Sequence, residues 1–76
     1  MNIDYDIFID AQGLKCPQPL LLTKQAIKQL KKNQVLQLVA TDPHTDLDIE
    51  VWCDRFEHEI IHTSDKNGVY KFWIRK

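Results

Sequence analysis

Apolar residues recur at every second position near the start of the chain, at Ile3, Tyr5, Ile7 and Ile9. That is the period of a half-buried strand over residues 3–9. Gly13 marks the turn that follows. From 17 to 32 the spacing lengthens. Leu20, Thr23, Ala26, Ile27 and Leu30 fall on one face of a helix, and Lys24, Lys28, Lys31 and Lys32 fall on the other. Asn33 is the C-terminal stop. Residues 35–40, Val-Leu-Gln-Leu-Val-Ala, are nearly continuously apolar, as suits a covered central strand. Asp42-Pro43 ends it. A second helix is predicted over 45–57, with Thr45 as N-cap and Ile49, Trp52, Cys53 and Phe56 as its buried stripe. A short strand over 59–63, a turn at Asp65-Lys66-Asn67-Gly68 and a last strand over 69–75 complete the chain. In that last strand Tyr70, Phe72 and Ile74 point inward. Lys71, Trp73 and Arg75 face solvent, with Trp73 either a lone surface aromatic or part of a contact patch.

The order is βαβαββ. The first two strands are expected to be parallel through a right-handed crossover, and the last two to form an antiparallel hairpin. The predicted fold is an α/β two-layer sandwich, a mixed four-stranded sheet with two helices on one face. The 76 residues make a single domain, 1–76, and the 43% hydrophobic content supplies one core.

A formal charge of −1 argues against a non-specific nucleic-acid binder. With no secretory h-region and no apolar run long enough to span a bilayer, the expectation is a soluble cytoplasmic protein without membrane contact. Cys16 and Cys53 are too few and too far apart for a disulfide scaffold or a Cys-rich zinc site. A reducing compartment disfavours a bond between them. No metal and no cofactor are expected.

The chemistry concentrates in Asp10-Ala-Gln-Gly13-Leu-Lys15-Cys16-Pro17-Gln18-Pro19. A cysteine followed by proline at a helix start sits at or beside the N-cap. There Pro17 fits the first turn, and free N–H groups with the helix dipole favour a thiolate. Lys15 adds a neighbouring charge or is a solvated loop lysine. His44 approaches Cys16 or is a surface loop residue. Asp10 holds the loop by accepting backbone N–H bonds or is an ordinary turn aspartate, and Asp42 caps the second helix or shapes a docking rim. Cys53, within an apolar stripe, reads as inert packing, and His58 as a structural cation at a helix end. Leu21 projects among Lys24, Gln25 and Lys28, and Asp46, Glu50 and Asp54 form an acidic stripe on the second helix. Side by side, the two helices would polarise the surface for transient partners.

Asp10-x-x-Gly13-Leu14-x-Cys16-Pro17-x-Pro19, with Asp42-Pro43, Cys53, Glu57-His58-Glu59 and Ile74-Arg75-Lys76, resembles the TusA/SirA family of small sulfur-carrier proteins. The likeness covers almost the whole chain. It implies the same βαβαββ sandwich and persulfide relay on Cys16, with Asp10, Gly13, Pro17 and Pro19 organising the loop. It also implies a cysteine desulfurase as donor and a downstream relay protein as acceptor, feeding 2-thiouridine synthesis in tRNA. Docking would involve Lys15, Gln18, Leu21, Lys24, Lys28 and Asp42. Gln18 stands where many members carry glutamate, which removes a charge from that contact. A monomer forming transient complexes is expected, with no direct nucleic-acid contact. The alternatives are a sulfur or selenium carrier for another pathway, such as thiosulfate handling or molybdenum-cofactor synthesis, and a non-catalytic regulatory binding module.

Overall fold

A computed structural model describes residues 3–76. Its elements follow the order β1 (Ile7–Ala11), α1 (Gln18–Ile27), β2 (Val35–Ala40), α2 (His44–Arg55), β3 (Glu59–Lys66) and β4 (Val69–Arg75). The sheet runs β1-β2-β4-β3. β1 and β2 are parallel, with Ile9 opposite Leu38 and Ala11 opposite Ala40. β2 and β4 are antiparallel, with Leu38 opposite Phe72 and Leu36 opposite Ile74. Both helices pack against this four-stranded sheet to give the two-layer α/β sandwich expected from the pattern.

Strand alternation sets the core. Leu36, Leu38, Ala40, Phe72 and Ile74 join Ile27, Leu30, Ile49, Trp52 and Cys53 in one buried cluster. Ile7, Ile9, Leu20, Ala26, Ile60 and Tyr70 pack around it. On α1, Thr23 is fully buried and its hydroxyl donates to the Pro19 carbonyl at 2.8 Å, so its polar group needs no other partner.

Several boundaries differ from the sequence reading. β1 begins at Ile7 rather than residue 3, and it runs through Asp10 to Ala11. α1 stops at Ile27. The chain then turns, with Leu30 still buried and Asn33 at φ 74. Thr45 is not an N-cap: Pro43 holds that position, and Thr45 is buried within α2 with its hydroxyl unpartnered. Phe56 leaves the buried stripe because α2 ends at Arg55 and Glu57 adopts φ 61, so helical spacing no longer places its ring. The ring is 58% exposed.

β3 is longer than expected, and its register shifts between Ile60 and His62. This bulge lets Ile60 face the core opposite Ile74 while His62 faces the other side opposite Trp73. The hairpin closes through Asn67 and Gly68, both at positive φ, the two-residue geometry matched to strand twist. Trp73 also departs from expectation. It lies on the sheet face away from the helices, yet only 8% of it is exposed. It sits between Gln37 and His62 on neighbouring strands, with the His62 ring 5.1 Å away.

Phe72 is the largest of the fully buried side chains and lies on a central strand. Phe72→Ala is expected to cost about 3–5 kcal/mol, read from chemical denaturation. Phe56→Ala, on an exposed ring, is expected to cost less than about 1 kcal/mol.

Candidate functional site

The loop from Gln12 to Pro17 leaves β1 at the edge where β2 also ends, because the two strands are parallel. Asp10 Oδ1 accepts the Gln12 N–H at 3.1 Å, an Asx turn that starts the loop. Gly13, at φ 81, donates its N–H to Thr41 Oγ1 at 2.9 Å. Leu14 N–H reaches the Ala11 carbonyl at 3.2 Å. The loop is therefore tied both to its own strand and to the end of β2.

Asp42 carries the next tie. Its Oδ2 accepts the Cys16 N–H at 2.5 Å, and its Oδ1 accepts the His44 N–H at 3.0 Å. The His44 ring nitrogen Nδ1 lies 3.0 Å from the same Oδ1. Asp42 thus ties the start of α2 to the cysteine loop, although Pro43 and not Asp42 is the N-cap. These bonds, led by the His44 N–H and followed by that of Cys16, pull the Asp42 carboxyl down to about 2. His44 pairs with Asp42 rather than approaching Cys16, and its side chain is 81% exposed.

Pro17 is the N-cap of α1, so Cys16 lies beside the cap and Pro19, not Pro17, falls in the first turn. The helix end offers few donors to sulfur. Pro17 and Pro19 have no N–H. The Gln18 N–H is spent on the Lys15 carbonyl at 2.8 Å, and that of Cys16 on Asp42. The expectation of a thiolate favoured by helix N–H groups is overturned. The exposed Cys16 thiol donates to Asp48 Oδ2 at 2.6 Å. That bond raises the thiol above its ordinary value, and desolvation and the charges of Asp48 and Asp42 act in the same direction.

Asp48 was missed by the sequence reading. It lies 32 positions from Cys16, on the flank of the apolar stripe opposite to the acidic stripe of its helix. Its one available signal was its place next to Ile49, on the flank of the stripe that turns toward α1. Among the other candidates, Lys15, Gln18, Leu21 and Lys28 are exposed and Lys24 is half-buried. A groove of about 300 Å³ between the helices is lined by Leu20, Lys24, Leu47, Asp48, Val51 and Phe56. Of the groove residues, Leu47, Val51 and Phe56 are exposed apolar side chains, and Leu21 is exposed on α1 outside the groove lining. Asp46, Glu50 and Asp54 are exposed as well.

Cys53 is buried, and burial pushes its thiol up to about 12, consistent with packing. His58 packs against Trp52, with ring centroids 4.8 Å apart and planes tilted by 44°. Burial, and then the charge of Lys76, lower its pKa, which disfavours the cation expected there. Among the described residues no cluster of His, Cys, Asp and Glu suits a metal ion, and no helix is long and apolar enough to cross a membrane.

Comparison with known proteins follows the same lines. A crystal structure of the SirA-like protein from Desulfitobacterium hafniense superposes with a TM-score of 0.82 at 24% identity, covering 92% of this chain and 96% of that one. That likeness establishes the fold. Sulfur carrier protein TusA of Pseudomonas entomophila is 38% identical over 75 residues, 99% of this chain and 94% of the relative. The protein of the same description from Pseudomonas fluorescens is 40% identical over 68 residues, 90% of this chain and 82% of the relative. The family model described as Sulfurtransferase TusA matches residues 7–76, and with these relatives it shows that the chain belongs to the TusA family of sulfur carriers.

Proposed function

We propose that Cys16 is the carrier cysteine of this sulfur carrier. It takes sulfane sulfur from a cysteine desulfurase and hands it to a downstream relay protein, with 2-thiouridine synthesis in tRNA as the end use. The observation that carries this reading is an exposed thiol held in a fixed loop by Asp42, with Asp48 on the sulfur itself. In the transfer, Cys16 sulfur attacks the outer sulfur of the donor persulfide. The donor S–S bond breaks, a new one forms at Cys16, and the donor leaves as a thiol. The partner then repeats the exchange on the Cys16 persulfide.

Asp10, Gly13, Thr41 and Asp42 hold the loop so that Sγ is presented at a constant place. Pro17 and Pro19 act with them by fixing the entry to α1. The apolar lip formed by Leu47, Val51 and Phe56, with Leu20 and Lys24 across the groove, is where a donor or acceptor protein docks. Lys15, Gln18 and Lys28 extend that surface.

Incubation with a cysteine desulfurase and cysteine, without reductant, is expected to add one sulfur atom to the Cys16 peptide by mass spectrometry. Cys16→Ser should show no gain; sulfur on the Cys53 peptide instead would overturn the assignment. Leu47→Asp combined with Val51→Asp is expected to slow uptake from the desulfurase by roughly tenfold, an effect of lost interface burial. Uptake from a small persulfide should stay within about twofold of wild type.

The carboxyl of Asp42 is depressed on folding, so its ionised form stabilises the loop above the unfolded value of about 4. That contribution is lost as the pH falls through about 2. The Cys16 amide resonance is expected to shift with a midpoint near 2 in an acid titration and to lose that midpoint in Asp42→Asn. A midpoint near 4 would mean that the Asp42 tie is absent in solution.

A further inference from the structure

We propose that Asp48 is a catalytic residue of sulfur transfer, accepting the Cys16 proton as Sγ attacks and returning it to the thiolate that departs. The inference rests on the relay reading of Cys16 and adds the proton path to it. Its basis is geometric. Cys16 Sγ lies 2.6 Å from Asp48 Oδ2, as donor to acceptor.

The charged and titratable groups around this sulfur come from three segments. Lys15 is its exposed chain neighbour. Asp42, after β2, is fully engaged: its Oδ2 is on the Cys16 N–H, and its Oδ1 is on the His44 N–H and ring. His44 is held on Asp42 and not on sulfur. Asp48, from α2, is the side chain that touches Sγ, and it sits at the mouth of the groove between the helices. A carboxylate is a much weaker base than a thiolate at equilibrium. In the resting protein the hydrogen therefore stays on sulfur. As the new S–S bond forms, sulfur loses its basicity, and the proton moves to the oxygen already in place.

The step balances without an outside reagent. Cys16–SH and the donor persulfide R–S–SH become Cys16–S–SH and R–SH. One S–S bond breaks as another forms. The Asp48 carboxylate takes the Cys16 proton and gives it to R–S⁻, ending as it began. In the hand-off the roles reverse. The acceptor thiol loses its proton, and the Cys16 thiolate leaves and regains a hydrogen through Asp48.

The test measures two reactions of Cys16 in wild type, Asp48→Asn and Asp48→Glu across pH. One is alkylation by iodoacetamide, located on the Cys16 peptide. The other is sulfur uptake from glutathione persulfide, a small donor that separates chemistry from docking. In Asp48→Asn the carboxylate charge no longer opposes the thiolate. Alkylation at neutral pH should therefore rise several-fold, with its pH midpoint moved down. Uptake should fall by roughly tenfold or more, as for a lost general base. Asp48→Glu should restore part of the uptake. These opposed directions are not what a merely structural residue produces. Uptake in Asp48→Asn that is unchanged, or that rises together with alkylation, overturns the proton role while leaving the relay intact. A wild-type protein that takes up no sulfur overturns the relay reading and the proton step with it.

Discussion

The parallel pairing of β1 and β2 is the constraint on which the site depends. Because both strands run the same way, the chain leaves each of them at the same edge of the sheet. The register that sets Ala11 opposite Ala40 brings Gln12–Pro17 beside Thr41 and Asp42. Two bonds then cross between the segments, from Gly13 to Thr41 and from Cys16 to Asp42. A slip of one residue would turn Ile7 and Ile9 away from the helices. The same slip would carry the cysteine loop off its two anchors. Core packing and the placement of the thiol are enforced by one register.

The rotation of α2 supplies the other coordinate. Ile49, Trp52 and Cys53 are buried, so the helix cannot turn about its axis without exposing them. With that face fixed, Asp48 is directed at the Cys16 sulfur on one flank. Leu47 and Val51 stand on the lip of the groove beside it. One helix thus carries a core face, an acid–base group and an apolar rim on successive flanks, each placed by the 3.6-residue period.

Periodicity made the elements legible. The strand of residues 35–40 and the hairpin strand of residues 69–75 kept their predicted bounds because alternation and turn residues agree there. Cys16 was legible as a candidate because its chemistry is unusual in its setting. The rest depended on distances between elements that local spacing does not contain. Trp73 occupies an outward strand position, but its neighbours Gln37 and His62 on two other strands bury it. Phe56 obeyed the helical count only on paper, since the helix ended one residue earlier. The role assigned to the helix N-terminus failed because its prolines have no N–H and the Cys16 and Gln18 N–H groups are already used. Asp48 is 32 residues from Cys16, and only the packing of α2 against α1 and the sheet joins them.

The contact between Cys16 and Asp48 bears on a difficulty common to any thiol that both receives and gives away sulfur. A more basic thiol is the better nucleophile once deprotonated, yet it is the poorer leaving group, so what favours uptake opposes release. It is also scarce as thiolate near neutrality, which slows uptake but shields an exposed sulfur from oxidation. A carboxylate fixed against the sulfur addresses both halves. It keeps the resting atom protonated, and it provides a place for the proton in each direction of exchange. A permanent positive environment, as at an unobstructed helix N-terminus, would help release but leave the free carrier exposed as thiolate. The arrangement in this chain, with donors withdrawn from the helix end and an acid placed on the sulfur, suits a carrier whose thiol should react with persulfides more readily than with stray oxidants.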